Sequence, residues 1–210
     1  MSAYEAAGAT ALVVSAIEIS EPADGGAALR ERAQHLDRYD WIVFTSANAV
    51  RRFARVAPLP WPRIAVVGPS TAAALPNAPD FMPVRHDGEA LVAEFGRGEG
   101  TVLVPRGDRA RPNVVDGLRA HGWTVDDVIA YRTEVIPVDD DVAARIARAD
   151  AITFTSPSTV EAFAGRPLPR VVVIGSVTAE AARASGLYVH AVAIEPTAEA
   201  MVAATVRALA

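Results

Sequence analysis

Five short turns rich in serine, threonine and glycine carry most of the groups that could do chemistry. They are Thr45-Ser46, Gly68-Pro69-Ser70-Thr71, Arg106-Gly107-Asp108, Thr155-Ser156-Pro157-Ser158 and Gly175-Ser176-Val177-Thr178. Each follows a short apolar run and precedes a segment of helical period, so each should sit where a strand ends and a helix begins. Such a junction offers free backbone N–H groups and the positive end of the helix dipole, a ready anion site. Helix capping by Ser and Thr, with Pro157 at the first helical position, explains any one of these turns taken alone. Capping and binding are compatible, because different N–H groups serve each. Arg106, Arg109 and Arg111 cluster after the run Thr101 to Pro105, and they are the arginines expected nearest an anionic ligand. The alternative is an exposed pairing with Asp108, worth little. Arg51 and Arg52, a turn into their helix, are expected to be solvated. The candidate ligand contacts are therefore Ser46, Ser70, Thr71, Arg106, Arg109, Ser156, Ser158, Ser176 and Thr178.

Composition excludes several chemistries. The chain has 210 residues, no cysteine and no lysine, all of its basic residues other than four histidines being arginine. Disulfides, thiolate metal sites and cysteine nucleophiles are thus excluded, as are a Schiff-base lysine and a P-loop. A net charge of -5 gives no basic footprint for nucleic acid. His35, His86, His121 and His190 lie in unrelated segments without metal-ligand spacing, so no metal site is expected. Asp126-Asp127 and Asp139-Asp140-Asp141 are read as lying beside strand or helix ends, the latter favouring a helix N-terminus. With 51% hydrophobic and 21% charged residues the chain should be globular. No apolar run approaches the roughly 20 residues of a membrane span, and no secretory signal is evident at the start. The expectation is a cytoplasmic protein with no membrane partner.

The elements that position these turns alternate regularly. Apolar runs at Trp41 to Phe44, Ile64 to Val67, Val102 to Val104, Ile152 to Phe154 and Val171 to Ile174 are each followed by helical patterning. Repeated strand-helix units favour a parallel sheet covered on both faces. The pattern also occurs twice. WIVFTSANAVRRF from Trp41 matches AITFTSPSTVEAF from Ala151, and RIAVVGPSTAAAL from Arg63 matches RVVVIGSVTAEAA from Arg170. A period this long indicates a duplicated domain rather than a solenoid, and two similar lobes imply a cleft.

The repeat extends to AYEAAGATALVVSAIEISEP near the start, which aligns with GLRAHGWTVDDVIAYRTEVIP, setting Gly8 against Gly122 and Ile17 against Tyr131. A phenol thus stands where the other copy has an aliphatic side chain, on a strand expected to border the cleft. An amphipathic tyrosine packed between lobes would explain it equally. In the second copy TVLVPRGDRARPNVVDGLRA precedes this match. Its counterpart in the first copy would lie roughly 15 to 20 residues upstream of Met1, so the first lobe is expected to lack its N-terminal strand.

The ordered set FTSANAV, VVGPSTA, LVPRGD, VIAYRT, FTSPSTV and VIGSVTA resembles the uroporphyrinogen-III synthase family over essentially the whole chain. The resemblance implies an α/β fold of two similar doubly wound, flavodoxin-like parallel-sheet lobes joined by a two-stranded ladder. Lobe 1 would comprise 1–16 plus 136–210 and lobe 2 would comprise 17–135, with ladder strands at Val13 to Ser20 and Val128 to Val135. It implies a monomeric, cofactor-free cyclising hydro-lyase that converts hydroxymethylbilane, a linear tetrapyrrole received from hydroxymethylbilane synthase, into uroporphyrinogen III with inversion of the last pyrrole ring. Tyr131 matches the family tyrosine that is the leading candidate for assisting loss of the terminal hydroxyl, and Thr178 matches a family threonine at the cleft. A non-catalytic bilobal ligand-binding or regulatory protein derived from the family is the alternative. A nucleotide-sugar transferase or dinucleotide enzyme would share the architecture, but no GxGxxG follows any expected strand.

Overall fold

The structure is a computed structural model that describes residues 3–210, so the first two residues assigned to lobe 1 lie outside it. In chain order the elements are α1 (Ala3–Ala6), β1 (Ile17–Ser20), α2 (Ala27–Ala33), β2 (Trp41–Phe44), α3 (Ala47–Ala54), β3 (Arg63–Val66), α4 (Pro69–Ala72), α5 (Gly88–Phe95), β4 (Thr101–Gly107), α6 (Asn113–Ala120) and β5 (Thr124–Val135). They continue with α7 (Asp140–Ile146), β6 (Ala151–Phe154), α8 (Pro157–Glu161), β7 (Arg170–Val173), α9 (Ser176–Ala184), β8 (Val189–Val192) and α10 (Ala198–Leu209). The chain divides into two compact units, Ile19–Thr133 and the remainder, residues up to Glu18 with Glu134–Ala210. Each holds one member of the two repeated pairs, those from Trp41 and Arg63 in one unit and those from Ala151 and Arg170 in the other.

A five-stranded sheet runs in the order β1-β5-β4-β2-β3. β2 pairs in parallel with both β3 and β4, and β4 in parallel with β5. Strand side chains alternate between faces, and the core follows suit. Ile42 and Phe44 pack with Val50, Phe53 and Val66 on one face, whereas Val43 packs with Leu91, Val102 and Val104 on the other. A sheet buried on both faces must read as continuous apolar runs, which is why IVF and VLV strings mark these strands. α3 shows the complementary helical logic, burying Ala49, Val50 and Phe53 along one stripe while Arg51 stays outside.

The second sheet is three-stranded and parallel, in the order β6-β7-β8. Repeat mates pack alike: Phe44 meets Phe53 at 5.5 Å between ring centroids, and Phe154 meets Phe163 at 5.5 Å. A parallel bridge between Ala65 and Phe81 stands where the second sheet has β8. The sheets differ on the far side of β2, where the first continues through β4, β5 and β1. β2 has strand neighbours on both sides, while among the described residues its mate β6 has only β7. Ile42 and Val43 are accordingly fully buried, and their counterparts Ile152 and Thr153 are half-buried.

Two local expectations are corrected. The first ladder strand begins at Ile17 rather than Val13; residues 9–16 lie in no strand, and Val13 is 86% exposed. An extended segment becomes a strand only where a neighbour shares a run of ladder hydrogen bonds with it, and the contact given between this stretch and the end of β5 is a single bond, from the Ile136 N–H to the Ala16 carbonyl at 3.0 Å. The second ladder segment falls inside the longer β5. Asp126 and Asp127 lie in the interior of β5, not at an element end. Among the described residues no helix is long and apolar enough to cross a membrane.

Candidate functional site

The Ser and Thr turns do lie at the carboxyl ends of strands, and the structure sorts them. Ser46 caps α3: its backbone is extended and its Oγ accepts the Ala49 N–H at 3.1 Å. Ser156 caps α8 in a capping box, exchanging hydrogen bonds with Thr159. Gly68 and Gly175 occupy the cap positions of α4 and α9, so Ser70 and Ser176 fall in the first turns and are exposed. Thr71 and Thr178 turn inward and are only 2% and 3% exposed. Ser158 sits half-buried in α8. α4 and α8 are single turns, so only α3 and α9 have the length to sum an appreciable dipole.

The arginines are distributed differently from the sequence-based expectation. Arg106 donates from Nε and Nη2 to Oδ2 of Asp127 at 2.9 and 2.7 Å, and Arg119 donates to the other carboxylate oxygen at 2.9 Å. Residue 104 is level with 127 and residue 106 with 129, so Arg106 and Asp127 emerge diagonally on the same sheet face. Burial raises the Asp127 pKa, but Arg106 and then Arg119 outweigh it and hold the carboxyl below its ordinary value. Arg106 is thereby engaged within the unit. Asp126 emerges on the opposite face, where it accepts from Tyr39 Oη at 2.7 Å and pairs with Arg32. Arg109 is exposed on the loop after β4. Arg52 is not simply solvated; its Nη2 donates to the Ile19 carbonyl at 2.8 Å, fastening α3 to β1. Asp108 fastens the loop after β4, its carboxylate accepting the Thr133 N–H and its own N–H donating to the Tyr131 carbonyl.

One constellation joins two of the turns to a strand side chain. Tyr131 on β5 is level with Gly107 at the end of β4, and β4 separates β5 from β2. Adjacent strands lie about 4.8 Å apart, so a side chain reaching from β5 to the turn after β2 must cross the end of β4. The Tyr131 phenol makes that crossing directly over Gly107. A Cβ at residue 107 would stand 2.7 Å from the phenol Cζ and 2.9 Å from Oη. Beyond it, Oη lies 3.1 Å from Ser46 Oγ. Gly107 is required here by lack of space, since its φ is not in the left-handed region. The result is a half-buried phenol whose hydroxyl rests at a helix N-terminus on the carboxyl edge of the sheet, where ligands of open α/β sheets bind. The sequence singled out Tyr131 and Ser46 separately, but nothing in it joined them or isolated Gly107. The available signal was a glycine at a strand end, level with an aromatic residue that breaks the repeat. Among the described residues no group of three or more His, Asp or Glu side chains could hold a metal ion.

Comparison with known proteins bears on the descent and the fold of the chain. The family model described as uroporphyrinogen-III synthase HemD matches residues 1–203. A uroporphyrinogen-III synthase of Synechococcus elongatus is 32% identical over 175 residues, 75% of this chain and 66% of the relative. A putative uroporphyrinogen-III synthase of Methanothermobacter thermautotrophicus is 35% identical over 179 residues, 75% of this chain and 68% of the relative. The match thus spans about two thirds of these relatives' lengths. Among solved structures, a mutant uroporphyrinogen III synthase of Thermus thermophilus superposes with a TM-score of 0.67 at 19% identity, covering 98% of this chain and 91% of that one. The Helicobacter pylori uroporphyrinogen-III synthetase gives 0.63 at 16% identity, covering 90% and 89%. At such identities the structural likeness speaks for the fold, and the family match for descent: the chain belongs to the uroporphyrinogen-III synthase family.

Proposed function

We propose that the protein cyclises hydroxymethylbilane to uroporphyrinogen III, inverting the last pyrrole ring and releasing water. The observation that carries this reading is the Tyr131 phenol, held over Gly107 at the carboxyl edge of its sheet. A phenol there can give a proton to the bilane's terminal hydroxyl as it departs, and general acid assistance is worth about 10² to 10⁴-fold. Loss of water leaves an electrophilic azafulvene. Attack by the substituted carbon of the last ring gives a spiro intermediate, which opens and recloses as the type III isomer. The step is a net dehydration with no change of oxidation state, so the chemistry calls for neither a redox cofactor nor a Lewis acid.

The rest of the task is geometric. A bilane carries eight carboxylates, and an acidic protein must hold them with local donors rather than a broad positive field. The first turns of α3 and α9, with exposed Ser70, Ser176 and Arg109, are the groups we assign to that holding, each within its own unit. Arg106, Thr71 and Thr178 are better explained as structural, given their partner and their burial. The substrate would be received from hydroxymethylbilane synthase in the cytoplasm.

Unassisted closure of the bilane gives the type I isomer, so product identity separates enzyme from bystander. Purified protein mixed with freshly made hydroxymethylbilane is expected to yield mainly type III uroporphyrinogen by chromatography. Type I alone, from protein with a cooperative unfolding transition, overturns the reading.

A further inference from the structure

Ser46 Oγ faces two partners at once, the Ala49 N–H and the Tyr131 hydroxyl, both at 3.1 Å. A serine hydroxyl owns one proton and two lone pairs. The cap bond consumes a lone pair and leaves the proton to give. Were Tyr131 to donate to Ser46, the phenol proton would be committed within the protein. With the opposite polarity that proton is free.

We propose that Ser46 is a positioning residue that donates its hydroxyl proton to Tyr131 Oη and so aims the phenol proton outward, at the leaving group. This deepens the proposed function and rests on it. In the step itself, Tyr131 Oη–H transfers its proton to the terminal hydroxyl oxygen of the bilane. The C–O bond breaks and its electron pair departs with water. The pyrrole nitrogen supplies the pair for the new exocyclic C=C bond, and its N–H proton returns to the phenolate, so the tyrosine is regenerated and the azafulvene is neutral. During transfer, negative charge grows on Oη. A hydrogen bond donated to a charged oxygen is stronger than one to a neutral oxygen, so the Ser46 contact strengthens as the bond breaks. The N-terminal end of α3, an eight-residue helix, adds partial positive charge on the same side.

The internal repeat supports this assignment. Ser156 is the mate of Ser46, and it meets Thr159 in a reciprocal capping box, where the first copy has Ala49. The mate of Tyr131 is Ile17. In the compact unit that carries Ile17, the backbone N–H and carbonyl of the cap residue are met by the Thr159 hydroxyl. In the unit that carries Tyr131, the residue at the equivalent helix position is an alanine, which has no hydroxyl to meet the cap residue.

The test is a double-mutant cycle on turnover. Glycine is nearly as good a cap as serine, so Ser46→Gly removes the hydroxyl with little cost to α3. It is expected to lower kcat by about tenfold with KM unchanged. Ser46→Thr, which keeps both the cap oxygen and the donor, is expected to restore turnover. In a Tyr131→Phe background, Ser46→Gly is expected to cost no further rate. Losses that multiply in the double variant, or a Ser46→Gly effect confined to KM, overturn the proposal and make Ser46 a direct substrate contact, leaving the synthase reading intact. A Tyr131→Phe variant with wild-type kcat overturns both the acid role and this proposal. Denaturant midpoints of the same four proteins provide a readout independent of catalysis. Non-additive shifts are expected, and additive ones overturn the hydrogen bond itself.

Discussion

Gly107→Ala isolates the crossing of Tyr131 over β4. The new methyl would lie 2.7 Å from Cζ and 2.9 Å from Cε2 and Oη of Tyr131. These separations are well inside van der Waals contact, so something must move. If the ring were locked, the clash would resemble overpacking a core, about 1 to 3 kcal/mol. The atoms it meets are the far end of a half-buried side chain, however, and turning the ring aside is the cheaper response. That movement forfeits the 3.1 Å bond to Ser46, worth about 0.5 to 1.5 kcal/mol. Removing glycine from a position with permitted φ returns about 0.4 to 1 kcal/mol through the unfolded chain. The two nearly cancel. Urea unfolding should therefore find Gly107→Ala within about 1 kcal/mol of wild type, while turnover to the type III isomer falls as far as in Tyr131→Phe. Combining Gly107→Ala with Tyr131→Phe should lower the rate no further. Wild-type turnover in Gly107→Ala would refute the claim that the phenol must lie across residue 107. A rate loss far beyond that of Tyr131→Phe would show that Gly107 meets the ligand directly.

Two further outcomes are expected. The Asp127 pKa is depressed in the folded state, so its contribution to stability is present above the ordinary aspartate pKa near 3.9 and is lost as pH falls through the lower folded value. Asp127→Asn should lower stability at neutral pH and flatten its decline in acid, as read from denaturant midpoints across pH; an unchanged acid limb would remove Asp127 from the acid transition. Ile42 and Ile152 are repeat mates in different surroundings, the first fully buried between two neighbouring strands and the second half-buried at a sheet edge. Ile42→Ala should cost about 2 to 5 kcal/mol and Ile152→Ala clearly less. Equal costs in urea unfolding would contradict the exposed edge at β6.

Much of the fold was legible because its determinants are local or periodic. Apolar runs bounded by Ser, Thr and Gly located β2, β3, β4, β6 and β7, the strand-helix alternation gave the parallel sheets, and the repeat paired Phe44 with Phe154 and Phe53 with Phe163. The caps at Ser46, Ser156 and Asp139 were legible for the same reason, since a cap acts on residues two or three positions away. The extent of β1 was not, because a strand ends where its ladder partner ends. The partners of Arg106 and Arg52 were not legible on similar grounds: Asp127 and the Ile19 carbonyl lie on other strands.

The amino-acid sequence by itself determined the alternation of elements, the duplication, the family and the tyrosine that stands opposite an isoleucine in the repeat. Those are properties of residue order, and residue order is all that periodicity and resemblance require. Tertiary structure alone decided that Tyr131, within β5, passes over Gly107 at the end of β4 to reach Ser46 just beyond β2. Strand order and register bring them within 3.1 Å, and neither is encoded in the spacing of any one segment.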